Sequence, residues 1–146
     1  MKKIITILFF VLSTQLFSQE IGVRLGSFGD SNVAVDGIVN FDDQTRLHGD
    51  ITFGNGIGAN LLYDFKVKPL NENNPSFQYY FGVGIGTFIG DPFILGVNGE
   101  TGVEYLLKNT PITFGLDWRP QLNIITKTSI DILRFGLNIR YRINEL

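Results

Sequence analysis

The stretch Leu133-Arg134-Phe135-Gly136-Leu137-Asn138-Ile139-Arg140-Tyr141-Arg142-Ile143 decides the fold. Its odd positions are large and apolar or aromatic, and its even positions are Arg, Gly or Asn. A period of two belongs to a β-strand whose side chains alternate between two environments. The polar face carries three arginines and a glycine rather than the mixed set of a solvated surface. The stretch therefore reads as a barrel strand that turns its apolar side outward into lipid and its charges inward.

Working back from this strand, turn chemistry cuts the chain into eight alternating segments. They cover 21–27, 33–41, 46–53, 57–67, 77–89, 93–106, 112–122 and 130–143. Between them stand Gly29-Asp30, Asp42-Asp43-Gln44, Gly54-Asn55-Gly56, a polar loop over 69–76, Gly90-Asp91-Pro92, Lys108-Asn109-Thr110 and the connection 123–129. Gly-Asn-Gly and Gly-Asp-Pro are turn signals with a mechanism, because glycine supplies the backbone freedom that a tight reversal needs. The segments average about ten residues, the length a tilted strand needs to cross hydrocarbon. No helical period competes, and the fold class predicted is all-β, an eight-stranded antiparallel up-and-down transmembrane β-barrel.

An even strand count puts both termini at one end. The turns at 42–44, 69–76 and 108–110 then share that end, and the other four connections lie opposite. With the termini on the periplasmic side, the longest connection falls on the side that usually carries short turns.

The ends of the chain fit this reading. Lys2 and Lys3 precede an apolar run over 4–12 broken only by Thr6, and 13–19 is more polar. This is the pattern of a secretory leader over residues 1–18, cleaved after Ser18 to leave a barrel domain over 19–146. The apolar run is well short of the roughly 20 residues of a membrane-spanning helix. The chain has no Cys, which excludes a lipid-anchored lipoprotein, disulfides and thiolate metal sites. Loss of Lys2 and Lys3 from 12 basic side chains leaves ten against 14 acidic ones, a net charge of −4 and no nucleic-acid footprint. Charged residues make up 18%, below the roughly 25% of soluble domains.

The polar face says which way the alternation points. In the segment over 77–89, Phe77, Tyr79, Phe81, Val83, Ile85 and Ile89 oppose Gln78, Gly82, Gly84 and Gly86. In that over 93–106, Val97, Val103 and Tyr105 oppose Gly96, Asn98, Glu100, Gly102 and Glu104. Glycine weakens a solvated strand, whereas the crowded interior of an eight-stranded barrel has room for little more than side chains. The charges on this face nearly balance. Asp36, Asp50, Asp64, Glu100, Glu104 and Asp117 face Arg24, Arg46, Lys66, Arg119, Arg134, Arg140 and Arg142. These residues are expected to form an enclosed ion network in which each buried charge finds a partner. Phe41, Phe53, Phe77, Tyr79, Phe93, Tyr105, Trp118 and Tyr141 lie near segment ends, where interfacial girdles would place them.

The chain resembles the small outer-membrane β-barrel proteins of Gram-negative bacteria over its whole mature length. In that family the last strand carries a signal read by the barrel-assembly machinery: a polar residue, Gly two on, then two hydrophobic positions, the last usually aromatic. Arg134, Gly136, Ile139 and Tyr141 match it in order, although this chain runs on through Arg142 to Leu146. The resemblance implies residence in the outer membrane, with membrane lipid and the assembly machinery as partners.

Little chemistry is legible. His48, the only histidine, falls on the polar face beside Asp50, and no serine pairs with it at a same-face spacing. Gly82-x-Gly84-x-Gly86 alternates within a strand with no helix after it, so it is no phosphate loop. No metal-ligand spacing or nucleotide fingerprint is present, and no cofactor is expected. Glu100 and Glu104 stand roughly 13 Å apart along one strand, too far for a hydrolytic pair, and point instead to ion pairs with Arg119, Arg134 or Arg140. The expectation is a monomeric, non-catalytic barrel with a plugged polar lumen and a structural or interaction role. The alternatives are an outer-membrane lipid-modifying enzyme using His48, and a secreted lipocalin-like barrel with the two faces exchanged.

Overall fold

The computed structural model describes residues 19–28, 31–65 and 67–143. Residues 1–18, expected to form a leader, together with Gly29, Asp30, Lys66 and residues 144–146, lie outside the described residues. The strands are β1 Gln19–Phe28, β2 Ser31–Asn40, β3 Arg46–Phe53, β4 Ile57–Asp64, β5 Lys68–Asn71, β6 Asn74–Ile89, β7 Ile94–Leu106, β8 Ile112–Trp118, β9 Gln121–Ile125, β10 Ser129–Asp131 and β11 Phe135–Arg142. All pairings are antiparallel.

β1 pairs with β2 on one side and with β11 on the other, which closes the sheet. The ring runs β1-β2-β3-β4-β6-β7-β8-β11, an eight-stranded up-and-down barrel. The extra short strands continue these eight. β5 follows β4 along the same partner, β6. β9 follows β8 along β7, and β10 leads into β11 after pairing with β9.

The break between β8 and β9 falls at Arg119-Pro120, where proline has no N–H for the ladder. Neighbouring groups close the gap. Arg119 N donates to Arg134 O at 2.8 Å, Gly99 N to Pro120 O at 3.0 Å, and the Trp118 indole N–H to Ile132 O at 2.6 Å. Trp118 also stacks on Phe135, with ring centroids 6.5 Å apart. Trp118 is the last residue of β8, and the segment read over 112–122 divides there into β8 and β9, through which the wall runs on.

Two sequence expectations about connections change. The loop over 69–76 is mostly strand: Lys68 pairs with Tyr79 and Asn71 with Asn74, leaving only Glu72-Asn73 as the turn. The long connection at the terminus end disappears, and with it the departure from short turns on that side. The connection over 123–129 likewise loses Asn123 and Ser129 to a β9–β10 pair. Polar composition suggested a loop in both places, but the open edge of a neighbouring strand satisfies the backbone better.

The faces fall as the alternation requires. Ile85, Leu116 and Phe135 are 55%, 58% and 59% exposed on the outside, while Glu100 and Arg140 are 4% and 1% exposed in the bore. The bore is not wholly polar, since Ala34, Ile38, Leu62 and Tyr80 are buried there too.

Candidate functional site

The candidate site is the bore itself, built from inward positions of every strand of the ring. The register carries its residues to one level: Asp36 lies opposite Asp50, Arg46 opposite Asp64, and Arg140 opposite Gly22. Glycine makes the room. A Cβ on Gly136 would collide with the Arg24 guanidinium laid across it, and a Cβ on Gly82 would collide with Asp64 Oδ1.

The charges form one connected network. Arg140 holds Glu20 at 3.0 Å, Asp36 at 3.3 Å and Glu104 at 2.6 Å. Glu104 also accepts from Arg46 at 2.7 Å, and Arg46 donates to Asp64 at 2.7 Å. The Arg46 guanidinium lies 4.3 Å above the Tyr80 ring, an attraction of cation to ring quadrupole. His48 sits at the centre, with Nε2 2.6 Å from Asp36 and Nδ1 3.1 Å from Glu100. Arg119 joins Glu100, at 2.7 Å, to Asp50, and stands 3.8 Å from Asp117, which Arg24 clamps.

Beyond Arg119, toward the 54–56, 90–93 and 126–128 turns, amides replace ions. Asn98 donates to Asn60 at 2.6 Å and Asn60 to Asp50 at 2.7 Å, while Gln121 donates to Asn123 at 2.5 Å. Arg134 donates to Gln121 and forms no ion pair with Glu100 or Glu104, unlike one of the sequence expectations. At the terminus end a cavity of about 330 Å³ opens among Asp42, Asp43, Gln78, Arg46, Glu104 and Arg142, and the Arg46–Glu104 pair forms part of its lining.

The structure thus brings together Arg24, Asp36, Asp50, Asp64, Glu100, Glu104, Asp117, Arg119 and Arg140, and sets Arg134 above them. Of the assembly-signal positions, Arg134 and Gly136 face the bore, while Ile139 and Tyr141 alternate to the outside. Sequence reading missed Glu20, which lay just before the first segment at 21–27; its inward parity with Gly22 and Arg24 was the available signal. It also missed Tyr80, because an aromatic residue in a polar register looks like a slip of phase.

His48 Nδ1, Asp64 and Glu100 also form the one grouping with metal-ligand character among the described residues, their ligand atoms all within 4.8 Å of one another. Both ring nitrogens of His48 face carboxylates, so neither is presented to a serine hydroxyl. No protein-family model and no curated protein sequence matches the chain.

Proposed function

We propose that this chain is an integral outer-membrane barrel with a plugged bore and a structural or interaction role, not a catalytic one. One observation carries the reading: outward side chains are apolar along the wall while the bore is filled with ion pairs. Apolar surface on this scale is stable in hydrocarbon and strongly unfavourable in water. A closed barrel leaves no strand edge unsatisfied in lipid. A lipocalin-like carrier needs an apolar bore for its ligand, and here guanidinium and carboxylate groups occupy that volume. The lipid-enzyme reading needs an activated nucleophile, and His48 is held by two carboxylates instead. On this reading the assembly machinery takes up the chain through Arg134, Gly136, Ile139 and Tyr141.

Fractionation of cells exporting the full chain tests the reading. The expected result is protein that stays with the outer membrane until detergent is added and migrates faster on gels when unboiled. Protein free in the periplasm or medium would establish the soluble carrier instead. Lipid A mass spectra should be identical with and without the protein; a shifted species would establish the enzyme.

A further inference from the structure

We infer that the centre of the bore is a binding site for a divalent d-block cation such as Zn²⁺, held by His48 Nδ1, Asp64 and Glu100. Three strands, β3, β4 and β7, bring these groups together.

The geometry suits a metal. Nδ1 lies 3.1 Å from Glu100 Oε2 and 3.9 Å from Asp64 Oδ2. Two donors bound tetrahedrally at roughly 2.0–2.1 Å stand about 3.3 Å apart, so the Nδ1–Oε2 pair is already at ligand spacing and the Asp64 carboxylate would have to close in on it. His48 is already oriented as a ligand. Its Nε2 lies 2.6 Å from Asp36, and its Nδ1, 3.1 Å from Glu100 Oε2, faces the cluster and would become a ligand on giving up its proton to the solvent. A carboxylate behind a histidine in this way fixes the tautomer and strengthens the ligand. Arg119 supports Glu100 from behind, on Oε1, whereas Arg46 donates to Asp64 Oδ2 itself.

A second observation is independent of that cluster geometry. Asp64 is fully buried, yet its Oδ1 has no hydrogen-bond partner among the described residues. An orphaned buried carboxylate oxygen is costly. Gly82 gives this oxygen its space, since a Cβ there would collide with it. With Oδ1 and Oδ2 both engaged, Asp64 can bind side-on and complete four donors with Nδ1 and Oε2.

The charge of the bore leaves room for one further positive charge. The connected ion pairs contain seven carboxylates (Glu20, Asp36, Asp50, Asp64, Glu100, Glu104, Asp117) and four guanidiniums (Arg24, Arg46, Arg119, Arg140). Adding the other buried arginines, Arg134 and Arg142, makes six cations against seven anions, a balance of −1 before His48 is protonated. A proton on His48 neutralises that excess; a divalent cation bound to neutral His48 leaves the bore at +1.

Untagged full-length barrel, refolded in detergent with and without Zn²⁺ present, provides the test. Calorimetry and elemental analysis should find one Zn²⁺ per chain, and Co²⁺ should give visible d–d bands of nitrogen–oxygen coordination. Asp64→Asn and His48→Gln should abolish the bands, while Asn98→Ala, elsewhere in the bore, should leave them intact. Should either ligand variant lose its heat-modifiable migration, Asp36→Asn keeps all three ligands and should weaken binding about 10–100-fold. The inference is overturned if the wild-type barrel binds no Zn²⁺ under either refolding condition. Binding that persists undiminished in folded Asp64→Asn would place the ion on surface acids such as Asp42 and Asp43, and would overturn it equally.

Discussion

The two halves of the bore solve the same packing problem with different chemistry. Around Arg46, His48, Glu100 and Arg140, each charge is held by opposite charges on other strands. Around Asn60, Asn98 and Gln121, neutral amides pass hydrogen bonds from one to the next. Removing one member of a buried ion pair strands its partner in low dielectric, whereas a truncated amide leaves only a neutral dipole unpaired. The ionic half therefore specifies the barrel more strictly, and the amide half tolerates more change.

Several substitutions would break or sharpen this contrast, each read by urea titration of barrels refolded in lipid vesicles. The largest effect belongs to Arg119→Met, which strips Glu100 and Asp50 of a shared guanidinium and should destabilise by about 3–5 kcal/mol. A loss no greater than that of an amide variant would erase the distinction between the halves. Leu137→Arg places a charge on the outward-facing wall and, if that wall lies in the membrane as proposed, should cost about 2–4 kcal/mol near the midplane; a neutral result would show that this wall does not meet hydrocarbon. Asn98→Ala, which loses one bond to Asn60, should cost only about 1 kcal/mol.

The smallest effect lies outside the bore, in the exposed turn between β2 and β3. The Thr45 hydroxyl and then the Gln44 N–H hold the Asp42 carboxyl below the usual Asp range. A depressed carboxylate contributes order above its ordinary pKa and loses it as pH falls through that range and below. Thr45→Val should move the Asp42 titration, followed by NMR in micelles, upward toward the ordinary value. An unmoved midpoint would show that the hydroxyl bond does not form.

Much of the fold was legible because alternation is local: Leu133 to Ile143 declare their two faces without reference to any partner. Wherever glycine and charge shared one parity, as at Gly82, Glu100 and Gly136, the inward direction followed as well. The limits of strands were less legible. Pro69 and Asn71 read as loop because nothing local announces the open edge of β6 that pairs them. The segment over 112–122 read as one strand, and the break at Arg119-Pro120 showed only in the structure.

By itself, the sequence determined an all-β chain of eight spans, with an apolar exterior and an ionic interior, since parity and turn chemistry act within a few residues. Which charges meet was decided by tertiary structure alone. The register of the closed ring set Arg140 against Glu20, Asp36 and Glu104, put His48 between two carboxylates, and turned a bare Asp64 oxygen toward the space left by Gly82. These pairings span the circumference of the barrel, and a contact across a closed ring depends on shear and register that no single strand encodes.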